Sequence, residues 1–183
     1  EKKIIKSFQN DFKEGLTKFK KLRKSFIHND VNDNNIIVSN SLYTPEINGI
    51  IDLGDSINTQ IINDVAVTCV YAMMKCENPL EAGVNVVKGY NSVFKLEEDE
   101  IEFLYLAIAM RLIISITKSS INKIENKENE YLLISEDEAI KLIKKWDTVN
   151  QELATYSFRN ACGYTAHPNE NKFNKWSKNR VFK

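Results

Sequence analysis

Apolar residues recur along this chain with two different periods. At Ile4, Ile5, Phe8, Phe12, Leu16 and Phe19 the spacing is mostly three and four, which predicts one face of an amphipathic helix within residues 2–24. Lys18, Lys20, Lys21, Arg23 and Lys24 close that segment with positive charge, which suits a helix C-terminus. Between residues 25 and 60 the pattern shortens. Phe26-Ile27, Ile36–Val38 and residues 47–51 are brief apolar runs bounded by Asn, Pro45 and Gly54, and they predict two small strands joined as a hairpin. The polar clusters then fall at the strand ends.

The remainder reads as helices. Residues 61–75 are compact and apolar, and 80–94 follow Pro79, a good helix opener. Residues 97–119 begin with Glu97, Glu98, Asp99 and Glu100, acids that suit the positive end of a helix dipole. The stretch FLYLAIAMRLIISI is apolar nearly all round, so this helix is expected to be the most buried. Ser135 ahead of Glu136, Asp137 and Glu138 reads as the N-cap of a helix running to about Tyr156. A last short helix is placed at 172–177. The pattern therefore predicts a mainly α fold with a small β-hairpin.

Composition narrows the function classes. With 183 residues the chain suffices for one domain with a real core. Lys plus Arg and Asp plus Glu are 25 each, a balance that argues against a broad nucleic-acid surface or a polybasic membrane patch. Cys69, Cys76 and Cys162 make an odd, scattered set with no metal-ligand spacing, so a reducing, cytoplasmic setting is expected. No apolar run approaches the roughly 18 residues of a membrane span, and the first ten residues hold no signal-peptide core. The chain does not begin with Met, so its first residue need not be the first of the gene product.

The chemistry concentrates in His28, Asp30, Asn35 and Asp52. The first three spell H-x-D-x-x-x-x-N, and the fourth opens D-L-G-D after an apolar strand. Phosphoryl transfer needs a carboxylate beside the attacking hydroxyl, a neutral oxygen that reaches Mg²⁺ across the same loop, and a second carboxylate on a neighbouring strand end. Asp30, Asn35 and Asp52 fit those needs in turn. Magnesium takes few protein ligands, one or two carboxylates beside phosphates and water, so the set is sufficient. His28 is better placed to hold the loop by hydrogen bonds than to move a proton. An asparagine-rich loop can also satisfy turn geometry with no chemistry; the flanking strands and the strand-end D-x-G argue against that.

FIHNDVNDNNIIV resembles the catalytic loop of the aminoglycoside phosphotransferase and choline kinase superfamily, and GIIDLGD its metal-binding segment. That resemblance implies the C-terminal lobe of a protein-kinase-like fold, with Asp30 as catalytic base and Asn35 and Asp52 as Mg²⁺ ligands. Asp55 matches a recurrent acid of one branch, and Asp64 an Asp that caps the next helix. H-N-D occurs in choline and ethanolamine kinases, whereas most relatives have Gly at position 29. GIIDLGDSINTQIINDVAV is closer to the hydroxylysine kinase branch, whose kinase-like domain in bacteria is also found fused to class III aminotransferases. The resemblance runs from about Ser25 to Gly163.

Kinase folds carry a Gly-rich loop and a strand lysine on an N-terminal lobe. Neither is found here: there is no G-x-G-x-x-G, and Gly15 stands alone. Residues 1–164 are therefore expected to be the C-terminal lobe alone, with 165–183 an exit segment or linker, and the isolated chain is expected to transfer phosphate very slowly. The expected reaction moves the γ-phosphoryl of ATP or GTP, with Mg²⁺, to a hydroxyl of a small amine-bearing metabolite, a hydroxylysine-like amino-alcohol first. Choline, ethanolamine or an aminoglycoside is the alternative acceptor, and a non-catalytic kinase-like binding domain the alternative class. Asp33 and Asp55, then Glu81 and Glu102, are candidates for the acceptor's cationic group; Tyr71, Tyr90 and Tyr105 are candidates to stack on it. Arg111 sits inside an apolar helix, where an unpaired charge is costly. It is expected either to form a structural ion pair or to face the cleft and bind an acceptor carboxylate.

Overall fold

The computed structural model describes residues 1–74, 76–125, 130–167, 169–172 and 175, with side chains for all of these except 122–125 and 130–136. Among the described residues six longer α-helices and four short strands follow one another: α1 (Lys2–Phe19), β1 (Lys24–Ile27), β2 (Ile36–Val38), β3 (Ile47–Ile50), β4 (Ile57–Gln60), α2 (Ile62–Met73), α3 (Pro79–Val93), α4 (Glu98–Glu125), α5 (Glu130–Asp147) and α6 (Gln151–Ala161). No described helix is long and apolar enough to cross a membrane.

Helix α4 is the hub, and α1, α2, α5 and α6 pack on it. Its Ile101, Leu104, Ile108 and Leu112 are fully buried, as an all-round apolar helix requires. The apolar stripe of α1 meets it through Phe12, Phe19 and Phe103, whose rings cluster at centroid separations of 5.1–5.5 Å. Gly15 permits that approach, since a Cβ there would lie 2.8 Å from the Phe103 ring. Trp146 of α5 is fully buried and stacks on Tyr105 at 5.0 Å. The Trp146 Nε1–H donates to the Tyr105 carbonyl, and the Tyr105 hydroxyl donates back to the Trp146 and Val149 carbonyls.

The strands form two separate antiparallel ribbons, β1 with β4 and β2 with β3. The β2–β3 ribbon is the predicted hairpin, with Ile36 opposite Ile50. The β1–β4 ribbon, Phe26 opposite Asn58, is a correction: α1 ends at Phe19, and part of the basic stretch read as its end lies in a strand. An ion pair with its acid buried and its base part-exposed fastens the residue ahead of β1 to α4. Arg23 donates Nε and Nη2 to the two Glu100 carboxylate oxygens at 3.0 and 2.7 Å, and Nη2 also to the Lys95 carbonyl. The Glu100 side chain is 1% exposed. These bonds push the Arg23 guanidinium above its ordinary pKa.

The predicted helix from Ser135 to about Tyr156 is two helices. Helix α5 starts at Glu130, ahead of Ser135, and the chain turns after Asp147 so that the Asn150 side chain caps α6 by accepting from the Leu153 amide. Of the short helix placed at 172–177, Lys172 and Lys175 are described and helical; its other positions, and most of the 165–183 segment, lie outside the described residues.

Candidate active site

The loop between β1 and β2 folds on bonds that span two to five residues. Asn32 Nδ2 donates to Asp30 Oδ2 at 3.0 Å, the Asn34 amide to Asn32 Oδ1 at 2.8 Å, and Asn35 Nδ2 to the Asp30 carbonyl and Oδ2 at 2.9 and 3.2 Å. Short polar side chains that bond neighbouring backbone are what such a turn requires. The Asn35 Nδ2 donates only to Asp30, and its Oδ1 accepts no hydrogen bond among the described residues.

Two links draw the D-L-G-D segment to this loop. The Ile51 amide donates to the Asn35 carbonyl at 3.0 Å, and His28 Nε2 lies 2.9 Å from the Ile51 carbonyl. Asp52, the next residue, therefore sits beside Asn35 at the end of β3. Its backbone is left-handed at φ 63°, and one carboxylate oxygen accepts from the Gly54 amide; the other has no partner among the described residues. Residues 30, 35 and 52 thus share one end of the β2–β3 ribbon.

Asn29 is also left-handed, at φ 65°. That conformation favours Gly and tolerates Asn, which accounts for an Asn where the resemblance puts Gly. Its amide donates to Asp64 Oδ1 at 2.8 Å. Asp64 was expected to cap α2; instead, α2 has no side-chain cap, and the Asp64 carboxylate reaches back to the loop. Nothing in the sequence around position 29 signals a partner 35 residues away.

Arg111 reaches the site from the middle of α4. Its Nη2 donates to Asp30 Oδ1 at 2.9 Å and to the Tyr71 hydroxyl at 3.3 Å, and its guanidinium lies over the Tyr71 ring at 5.8 Å. Asp30 Oδ1 is thus held by a cation, and Oδ2 by two amides. The other candidates are placed as follows. Asp33 is exposed, with no described partner. The Asp55 carbonyl accepts from the Asn29 side chain, and its carboxylate is 3.9 Å from Lys118. Glu81 bonds Asn78 at the start of α3, and Glu102 lies 3.9 Å from Arg159; neither has a described contact with the loop. Tyr90 packs on Phe94 and Tyr105 on Trp146, so of the three tyrosines only Tyr71 joins the site.

Among the described residues no three His, Cys, Asp or Glu side chains are disposed to hold a metal ion. One carboxylate and one amide oxygen remain open, the sparse donor set of a magnesium ion carried largely by phosphates. Residues 3–93 match the phosphotransferase enzyme family. The hydroxylysine kinase of Danio rerio is 31% identical over 165 residues, 87% of this chain and 46% of its own length. The hydroxylysine kinase of Mus musculus is 28% identical over 138 residues, 72% of this chain and 36% of its own. That of Xenopus laevis is 32% identical over 120 residues, 62% of this chain and 32% of its own. The chain spans between about a third and a half of the length of these curated relatives. No solved structure matches it.

Proposed function

Because the chain belongs to the phosphotransferase enzyme family, on its hydroxylysine kinase-like branch, we propose that it carries the phosphoryl-transfer site of a kinase for a hydroxylated, amine-bearing metabolite such as hydroxylysine. The observation that carries this reading is the fixed Asp30 carboxylate, beside an Asn35 whose amide oxygen is left open and a strand end that delivers Asp52. Asp30 orients the acceptor hydroxyl and takes its proton as the hydroxyl oxygen bonds the γ-phosphorus of ATP or GTP. The bond from that phosphorus to the bridging oxygen breaks, and the nucleoside diphosphate leaves with the electron pair. Asn35 and Asp52 are the residues that would hold Mg²⁺, which when bound neutralises charge on the β- and γ-phosphates. His28 and Asp64 keep the loop in register with the Asp52 strand end and with α2. Asp33 and Asp55 are the acids nearest in sequence to the loop and the metal segment, and they suit the acceptor's ammonium group.

The same reading makes this chain the C-terminal lobe of a two-lobed enzyme. Phe26, Ile37, Val38 and Ile47 are exposed on the ribbons, and Leu42 and Tyr43 in the turn between β2 and β3. Two-stranded ribbons with apolar side chains in water on both faces are marginal alone and call for a cover. The sequence holds no Gly-rich loop to clamp a nucleotide, so the 183 residues alone should turn over very slowly. Asp30→Asn, in a protein extended to the length of its relatives, should abolish Mg²⁺-dependent phosphorylation of hydroxylysine while leaving the circular dichroism spectrum unchanged. Unaltered turnover would remove Asp30 from the mechanism, and brisk turnover by the 183-residue chain would refute the need for a second lobe.

A further inference from the structure

Resting on that reading, we propose that Arg111 is the residue of this chain that binds the carboxylate group of the acceptor.

A guanidinium has five N–H donors in a rigid plane. Nη2 of Arg111 spends its two on Asp30 and Tyr71. Nη1 and Nε have no hydrogen-bond partner among the described residues. The side chain is 12% exposed, and Nε is completely shielded. Buried polar groups are nearly always paired, so the shielded Nε is an idle donor that costs free energy beside a charge already short of partners. A purely structural ion pair would engage the fork more fully, as the bidentate Arg23–Glu100 pair does in this same protein. Nη1 is not among the shielded atoms, so two idle N–H bonds are open to a ligand.

The placement selects the ligand. Asn35 holds the Oδ2 edge of Asp30, on the side of the proposed metal ligands; Arg111 holds the Oδ1 edge, from α4. A hydroxyl delivered to Asp30 has the phosphoryl donor on the first side, which leaves the rest of the acceptor for the second. Lys118, two turns further along the same face of α4, adds a second cation 3.9 Å from Asp55. Cations on α4 against acids on the loops and turn suit a zwitterion, its carboxylate toward α4 and its ammonium toward Asp55. Tyr71 under the guanidinium keeps the plane in position through ring contact while Nη1 stays open.

The test uses the 183-residue chain and three probes: 5-hydroxylysine, its decarboxylated analogue 1,5-diaminopentan-2-ol, and the magnesium complex of a non-hydrolysable ATP analogue. Calorimetry gives affinities, and the Arg111 Nε–H resonance reports on the guanidinium directly in the unmutated protein. Hydroxylysine should shift that resonance and bind at least about tenfold more tightly than the decarboxylated analogue, the equivalent of one charge-assisted bond. Arg111→Gln should bring the ratio close to one. Equal affinities in the unmutated protein would overturn the subsite while leaving an amino-alcohol kinase standing. A resonance that moves with the nucleotide analogue and not with hydroxylysine would reassign Arg111 to the phosphoryl group and overturn the proposal. If neither amine binds, the subsite and the acceptor both fail, and turnover of the Asp30 variant alone then judges the phosphotransfer reading.

Discussion

The contact between Asp64 and the Asn29 amide offers the sharpest test of how the loop is held. Asp64→Ala removes the only described acceptor for an amide at 2.8 Å, on a residue kept left-handed at φ 65°. A hydrogen bond to a charged group contributes about 1.5–3 kcal/mol net. An acid in the first turn of α2 adds about 0.3–1 kcal/mol through the helix dipole. Together these give an expected loss of about 2–4 kcal/mol, well outside the roughly 0.5 kcal/mol of an ordinary surface substitution. Asp64→Asn keeps an acceptor oxygen without the charge and should cost about half as much. Urea unfolding measures the global loss, and hydrogen exchange at the Asn29 amide reads the bond itself. Exchange there should accelerate about tenfold to a hundredfold in the Ala variant, following the same bond energy. An Ala variant within 0.5 kcal/mol of the parent, with Asn29 exchange unchanged, would refute the clamp.

Two further outcomes follow from burial. Arg23→Met strands the Glu100 carboxylate in the core with only the Glu97 amide to bond, and should cost about 3–5 kcal/mol in urea unfolding. Adding Glu100→Leu should recover most of that loss; strict additivity of the two changes would show that the pair is not coupled. Burial also pushes the Tyr105 phenol up to about 12. The folded chain therefore holds that proton more tightly than the unfolded chain does. Its contribution to stability is complete below the ordinary tyrosine value, about 10, and is lost as pH rises through 12. Tyr105→Phe should lower stability at pH 8, where its two carbonyl bonds are missing, and flatten the decline between pH 10 and 12; a decline as steep as the parent's would assign it to other groups.

What the sequence revealed and what it hid divide along the range of the interactions. Helices α1 to α4 announce themselves because a packed helix must repeat its apolar residues every three to four positions. The β1–β4 ribbon has no comparable signature: of its eight residues only Ile27 and Gln60 are buried, so no alternation builds up. The Asp30 loop was legible for a local reason. Its Asn32, Asn34 and Asn35 bonds span two to five residues, so geometry and spelling are the same fact. Asp64, Tyr71 and Arg111 could not be joined to it that way, because Asp64 meets Asn29 across 35 residues and Arg111 meets Asp30 across 81. Those contacts exist because α2 and α4 pack together and aim their polar exceptions at one loop. Arg111 still left a trace, as the one charge in an apolar run from Phe103 to Ile116. A lone cation in such a run must find a counter-charge somewhere in the fold, and here the counter-charge is the proposed catalytic carboxylate itself. The same packing that stabilises the helical body therefore sets the orientation of Asp30, which is why a change on α4, far along the chain from the motif, should alter the site as directly as a change within it.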